Sequence, residues 1–161
     1  ATVAFAMVSD ETRPPQGEKR PSLSEVHPSG WNQAFYDHIP GQSLFNRSHL
    51  IAWSLSGEGA NPCNLITATT SLNQGVMQGY EQSILSYIRN TGNHVLVRAT
   101  PIYEDDELVA RGVHYEAQSI EDAGEAISIN VFIWNIEPGV EIDYATGESA
   151  LLPEESEGLT Q

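Results

Sequence analysis

The chain has 161 residues, with 7 Lys and Arg against 22 Asp and Glu, a formal net charge of −15 and a single cysteine. That length suits one domain with its own core, the 40% apolar content excludes global disorder, and one cysteine excludes an internal disulfide framework and a cysteine-based zinc site. No apolar run approaches the roughly 20 residues that span a bilayer, no charged-then-apolar leader opens the sequence, and the negative charge argues at first against nucleic acid.

The charge is uneven, however. Residues 1–100 carry 6 basic and 7 acidic side chains, whereas residues 101–161 carry 1 basic and 15 acidic. A site built in the nearly neutral first part is therefore free to hold a polyanion.

Taken in order, residues 2–8 are short and apolar and read as a buried strand. Its abrupt start leads to the expectation that upstream sequence is missing. Residues 9–33, with Pro14, Pro15, Gly17, Pro21, Pro28 and Gly30, form a long irregular segment held by anchors such as Trp31. Leu44, Phe45, Leu50, Ile51 and Trp53 outline a strand over 44–53, interrupted by polar Asn46-Arg47-Ser48-His49; residues 54–63 are rich in turn formers. Cys63 beside Pro62 reads as a buried or neutral thiol, so no disulfide-linked partner is expected.

After Asn64-Leu65-Ile66-Thr67 comes a helical stretch. Met77, Tyr80, Ile84, Tyr87 and Ile88 recur at helical spacing, and Thr91-Gly92 is its stop. Residues 95–103 and 108–118 are β-rich runs around an acidic turn at 104–107, which lacks the spaced oxygen ligands of a calcium loop. Residues 127–136 form another strand, and Pro138-Gly139 turns the chain into a short segment at 140–144. Strand, irregular segment, strand, helix and β meander give an α+β fold. One domain covers 1–149, and 150–161 is an acidic, flexible tail.

Reactive residue types are densest between 46 and 81: Asn46-Arg47-Ser48-His49, Asn64, Asn73 and Glu81. A histidine serves as a general base near neutral pH. An arginine two residues earlier leaves the same strand face and can grip a phosphate. Asparagine amides are hard oxygen ligands suited to a hydrated magnesium ion. On one straight helix, Asn73 and Glu81 would lie about 12 Å apart along the axis. That spacing favours a single asparagine ligand, with the carboxylate acting through water. His27, His38, His94 and His114 have no partners at metal-ligand spacing and read as structural.

Asn46-Arg47-Ser48-His49-Leu50-Ile51-Ala52 resembles the Asp-Arg-Gly-His motif of the DNA/RNA non-specific endonucleases, the ββα-metal or His-Me finger nucleases, and most of all the secreted streptococcal-type DNases. Gly57-Glu58-Gly59-Ala60-Asn61 and Asn64-Leu65-Ile66-Thr67 are similar to the segment that follows in that branch. So are Val26-His27-Pro28-Ser29-Gly30-Trp31, Thr91-Gly92-Asn93-His94-Val95-Leu96, Thr100-Pro101-Ile102-Tyr103 and Ile142-Asp143-Tyr144-Ala145-Thr146-Gly147, so that the resemblance runs from about Val3 to Gly147.

The resemblance implies a ββα-metal core with a central antiparallel sheet flanked by a helix and long loops. It implies a Mg²⁺-dependent endonuclease, secreted by a bacterium, that hydrolyses DNA or RNA without sequence preference, with Mn²⁺ able to substitute. His49 would be the general base, Asn73 the one inner-sphere metal ligand, and Glu81 a holder of metal-bound water. Asn64 would orient the site, and Arg47 and Arg20 would bind substrate phosphate. Asn46 and Ser48 depart from the motif, and residues 74–80 differ from the branch before Glu81. Leu85 replaces an arginine of other relatives, leaving that role empty or passing it to Arg89. Two other functions stay open: a nuclease-fold relic or acidic DNA mimic, suggested by the charge of residues 101–161, and a nuclease toxin domain with the same catalytic residues.

Overall fold

The computed structural model describes residues 1–153. Along them run β1 (Ala4–Val8), β2 (Phe45–His49), α1 (Trp53–Ser56), β3 (Leu65–Thr69), α2 (Gln78–Thr91), β4 (Val95–Ile102), β5 (Gly112–Ser119), β6 (Ser128–Trp134), β7 (Val140–Ile142) and β8 (Ser149–Leu151). A π-helical segment, Ser71–Met77, leads directly into α2. The main sheet is antiparallel with order β1-β4-β5-β6, while β2–β3 and β7–β8 are separate antiparallel ribbons.

Period-2 patterning makes the main sheet. Val95, Val97, Ala99 and Pro101 of β4 and Val113, Tyr115 and Ala117 of β5 face inward, with Arg98 and Glu116 outward. The inner face shares one core with Met77, Ile84, Leu85 and Ile88 from the helical stretch and with Leu50, Ile51, Leu55 and Ile66 from the β2–β3 region. Gly92 closes α2 in the left-handed conformation, its N–H bonding Ile88 O. A smaller core gathers Ile39, Leu44, Phe45, Val140 and Ile142.

Several elements differ from the sequence reading. The strand expected over 44–53 ends at His49, and Trp53 begins α1. The side chain of Asn64 takes the Ile51 backbone as a partner in place of a neighbouring strand. Helical structure starts at Ser71, earlier than the apolar spacing suggests, because its first turns are π-helical and do not repeat at 3.6 residues. β5 starts at Gly112 because the N–H groups of Leu108 and Val109 instead bond Tyr144 O. Cys63 is exposed on a 3₁₀ turn. β8 runs from Ser149 to Leu151, across the expected boundary at 149, and residues 154–161 of the expected tail lie outside the described residues.

The irregular segment 9–33 is anchored as expected. Trp31 lies under the Arg47 guanidinium, 4.2 Å from ring centroid to Cζ. Ser29 Oγ donates to Leu108 O at 2.7 Å, and Thr12 Oγ1 to Leu55 O at 2.7 Å.

What joins the β2–β3 ribbon to the main sheet is a buried polar clamp at the end of β6. Asn135, fully buried, accepts from Thr69 N and donates to Thr67 O and Ala110 O, at 2.8, 3.1 and 2.9 Å. Two residues on, the Glu137 carboxylate accepts from Ser71 N at 2.9 Å and Ser71 Oγ at 2.7 Å, holding the start of the π-helical segment. Replacing Asn135 with Ala leaves one buried N–H and two carbonyls without that partner. Asn135→Ala is therefore expected to lose about 3 kcal/mol of stability, read as a lower urea midpoint at unchanged slope; an unchanged midpoint would show the clamp to be dispensable.

Candidate active site

His49 closes β2, paired in register with Leu65 of β3. Strand alternation sends Arg47 and His49 to one face of the ribbon and Asn46 and Ser48 to the other. The His49 side chain is buried at 7% exposure, and its Nε2 lies 2.7 Å from Gly59 O. A carbonyl only accepts, so Nε2 carries the proton and Nδ1 keeps the lone pair. Gly59 is required there: a Cβ would come within 2.1 Å of Pro21 Cγ. The loop carrying Arg20 thus closes directly on the carbonyl that holds the histidine.

Burial is the main influence on His49, lowering its pKa from 6.5; hydrogen bonding to Gly59 opposes this, and the positive charge of Arg20 lowers it further. The net effect favours the neutral imidazole more than in a free histidine.

Asn64 stands behind the histidine. Buried at 6% exposure, it accepts from Ile51 N at 3.0 Å and donates to Ile51 O at 2.9 Å, while its own carbonyl receives Leu50 N at 2.9 Å. These bonds fix the backbone that follows His49.

Asn73 sits in the π-helical segment, a geometry that recurs at functional sites. Its Oδ1 accepts from Ser48 Oγ at 2.7 Å, and its Nδ2 donates to Asn46 Oδ1 at 2.9 Å. Gln74 Nε2 also donates to Asn46 Oδ1 at 2.8 Å, and Asn46 Nδ2 donates to Thr70 Oγ1 at 2.7 Å. The amide orientation of Asn73 is thus set from both ends. The two residues that depart from the nuclease motif, Asn46 and Ser48, are its direct partners, a role that their positions in the sequence do not reveal.

Arg20, Arg47 and Asn73 line one open groove of about 940 Å³. In a chain so rich in acid, the groove wall contains no carboxylate among the described residues. Arg47 is held against the wall: Nε donates to Val26 O at 2.5 Å and Nη2 to Ser24 O at 3.2 Å, above the Trp31 ring. Among the described residues neither Arg20 nor Arg47 forms an ion pair, whereas Arg13, Arg98 and Arg111 each do.

Glu81 lies in the first turn of α2, and neither it nor His49 nor Asn64 lines the groove. Burial alone pushes its carboxyl up to about 7, and no described residue hydrogen-bonds it. Arg89, in the last turn of α2, borders a separate recess with Arg13 and Trp53, so it does not stand in for the arginine absent at Leu85. His38 faces Pro138 O at 2.8 Å, His114 faces Asn130 Oδ1 at 2.7 Å, and His94 pairs with Glu121; none of these three, nor His27, lines the groove. Among the described residues no three His, Cys, Asp or Glu side chains cluster to hold a metal, and no helix is long and apolar enough to cross a membrane. Asn73 Oδ1 is a hard neutral oxygen on the groove wall.

A strand pair ending in a hydrogen-bonded histidine, followed by a helical segment that carries an amide to a groove with no carboxylate among the described residues, is the arrangement of a hydrolytic nuclease of the ββα type. The chain belongs to the DNA/RNA non-specific endonuclease family, whose model matches residues 13–121. It is similar to NucA from Streptococcus agalactiae with magnesium ion bound, at 30% identity and a TM-score of 0.81, over 94% of this chain and 74% of NucA. NucA with no metal bound gives 31% and 0.78, over 94% and 72%. Sda1 nuclease with bound zinc ion gives 29% and 0.76, over 94% and 76%. An extracellular nuclease at 20% identity, with a TM-score of 0.68 over 94% and 86%, shares the fold.

The raised Glu81 carboxyl has a measurable consequence in metal-free protein. Between 4.5, the unfolded value, and about 7, the native state holds a proton that the unfolded chain has lost. Stability therefore falls as pH rises through that window, by about 3 kcal/mol at most. In chelator, wild-type protein should lose this stability between pH 5 and 8 in urea melts, and Glu81→Gln should lack that loss. Parallel profiles would remove Glu81 from the account.

Proposed function

We propose that this nuclease cuts DNA, and also RNA, by Mg²⁺-dependent hydrolysis in which His49 takes a proton from the attacking water. The observation that carries the reading is the groove, where Arg20, Arg47 and Asn73 stand with no carboxylate among the described residues, together with His49, two residues beyond Arg47 on the same strand face, whose Nδ1 is left as the base.

The residues fit a divalent ion. Asn73 Oδ1 is a hard neutral oxygen already oriented by Ser48 and Asn46, and Glu81 is a largely desolvated carboxyl with no described partner, whose ionised form a nearby cation would favour. Asn73 would hold the ion directly and Glu81 through its hydration shell. When bound, the ion supplies positive charge against the scissile phosphate. The chain's own groups do the rest. Gly59 keeps the His49 ring in the tautomer that accepts a proton at Nδ1, Asn64 holds the turn behind it, and Arg20 and Arg47 offset phosphate charge as it builds.

An acidic DNA mimic would display carboxylates where the substrate sits, and among the described residues this groove displays none. The likeness to an extracellular nuclease supports an extracellular site of action, and the family supports a nucleic-acid substrate.

Plasmid incubated with micromolar protein and Mg²⁺ should be nicked and linearised, and chelator should stop it; intact plasmid throughout pH 6–9 would sink the proposal. His49→Ala should lower the rate by at least about 10²-fold, the range expected for loss of a general base, with an unchanged melting temperature in chelator. Because burial and Arg20 depress the His49 pKa, the acid limb of the wild-type pH–rate profile should fall below 6.5. A limb centred above 6.5 would assign the base elsewhere.

With two unpaired arginines in the groove, binding of catalytically inactive His49→Ala to DNA should depend only weakly on salt. A log–log slope shallower than about −4 is expected, and a slope of −6 or steeper would require phosphate contacts outside the groove.

A further inference from the structure

The core beneath α2 contains a hydroxyl that the packing does not satisfy. Tyr115 is fully buried in the middle of β5, and its Oη has no hydrogen-bond partner among the described residues. An unpaired buried hydroxyl costs on the order of 1–3 kcal/mol, and phenylalanine would fill the same space without it.

The surroundings of the ring suggest what the hydroxyl is for. Tyr80 stacks on Tyr115, with centroids 6.1 Å apart and planes inclined by 24°, so the phenol lies beneath the start of α2. Glu81 is the next residue. It belongs to the helical stripe of Met77, Glu81, Ile84, Leu85 and Ile88, whose four other members are all buried against the sheet. Helical geometry therefore sends the Glu81 side chain toward the sheet face on which Tyr115 stands, and its negative charge acts on the phenol. Two polar groups without other described partners, one a donor and one an acceptor, are thus brought to the same side of α2 in an otherwise apolar layer.

We propose that Tyr115 is a positioning residue for Glu81: its hydroxyl donates to one carboxylate oxygen and leaves the other directed at the hydration shell of the divalent ion. The proposal rests on the reading of Glu81 as the carboxylate that holds that shell. It also accounts for the tyrosine. The hydroxyl is unsatisfied in the chain alone and gains its partner when the ionised carboxylate is drawn into place.

Tyr115→Phe separates this role from a structural one. Removing a hydroxyl that only sits unpaired in the core should leave melting in chelator unchanged or raise it, and should not touch metal affinity. Under the proposal, melting in chelator is likewise unchanged or raised. Mn²⁺ affinity, measured directly by water-proton relaxation, falls about 10-fold, the size typical of a lost partner of a metal-holding group, and the Mg²⁺ needed for half-maximal plasmid cutting rises to match. In a Glu81→Ala background the same substitution has no further effect on Mn²⁺ affinity. Unchanged Mn²⁺ affinity in Tyr115→Phe, with Glu81→Ala weakened, overturns the role of Tyr115 alone. Unchanged affinity in Glu81→Ala overturns the reading of Glu81 and the proposal with it. A lowered melting temperature of Tyr115→Phe in chelator also overturns it, since the hydroxyl would then have a structural partner.

Discussion

The architecture depends on one buried amide. The β2–β3 ribbon adds no strand to the main sheet, so nothing in the ladder of backbone hydrogen bonds fixes where it lies. Asn135 does so by satisfying the edge of β3 and the loop before β5 together, and Glu137 then sets the first turn of the segment that carries Asn73. An amide suits this task because it offers donors and an acceptor at once and introduces no charge that would have to be desolvated. The same device recurs toward the groove: Asn64 closes on Ile51, and Asn46 orients Asn73. The site is framed by neutral groups, and its formal charges are left for other work.

That division explains how a strongly acidic chain accommodates a polyanion. Arg13, Arg98 and Arg111 spend their charge on Asp10, Glu116, and Glu104 with Glu107. Arg20 and Arg47 have no acidic partner among the described residues and border the groove instead. Arg47 is further stiffened by two carbonyls and an indole ring, so little side-chain freedom remains to be lost when an anion arrives. Net charge describes solubility and long-range repulsion; the potential at a site depends on which carboxylates have been kept away from it.

Much of this was legible in the sequence, for definable reasons. The β-rich runs of β4 to β6 and the stop at Gly92 follow from local preference and period. His49, Asn64 and Asn73 stood out because their spacing belongs to a family pattern, and the expected α+β fold with its antiparallel sheet is the observed one. The rest depended on contacts that no local pattern carries. Residues 71–77 gave no 3.6 period because their backbone is π-helical. Ser48 looked like a loss of motif until its hydroxyl was seen on Asn73. Glu137 and Tyr115 lie 64 and 34 residues from Asn73 and Glu81 in sequence, and only the meander brings them beneath the helical segment. Arg89 shows the converse: two turns along the helix from Glu81 was a reasonable place to seek a missing cation, but it borders a different recess.

The placing of Arg20 and Arg47 together on one short stretch of wall bears on how a long substrate would be consumed. A duplex is far longer than the groove, and beyond it meets a surface dominated by like charge. With Arg20 and Arg47 as the arginines of the groove wall, little holds the protein to the backbone between cleavage events. Each cut would be a separate visit, at a position unrelated to the last, so that chain length falls everywhere at once and not progressively from one point.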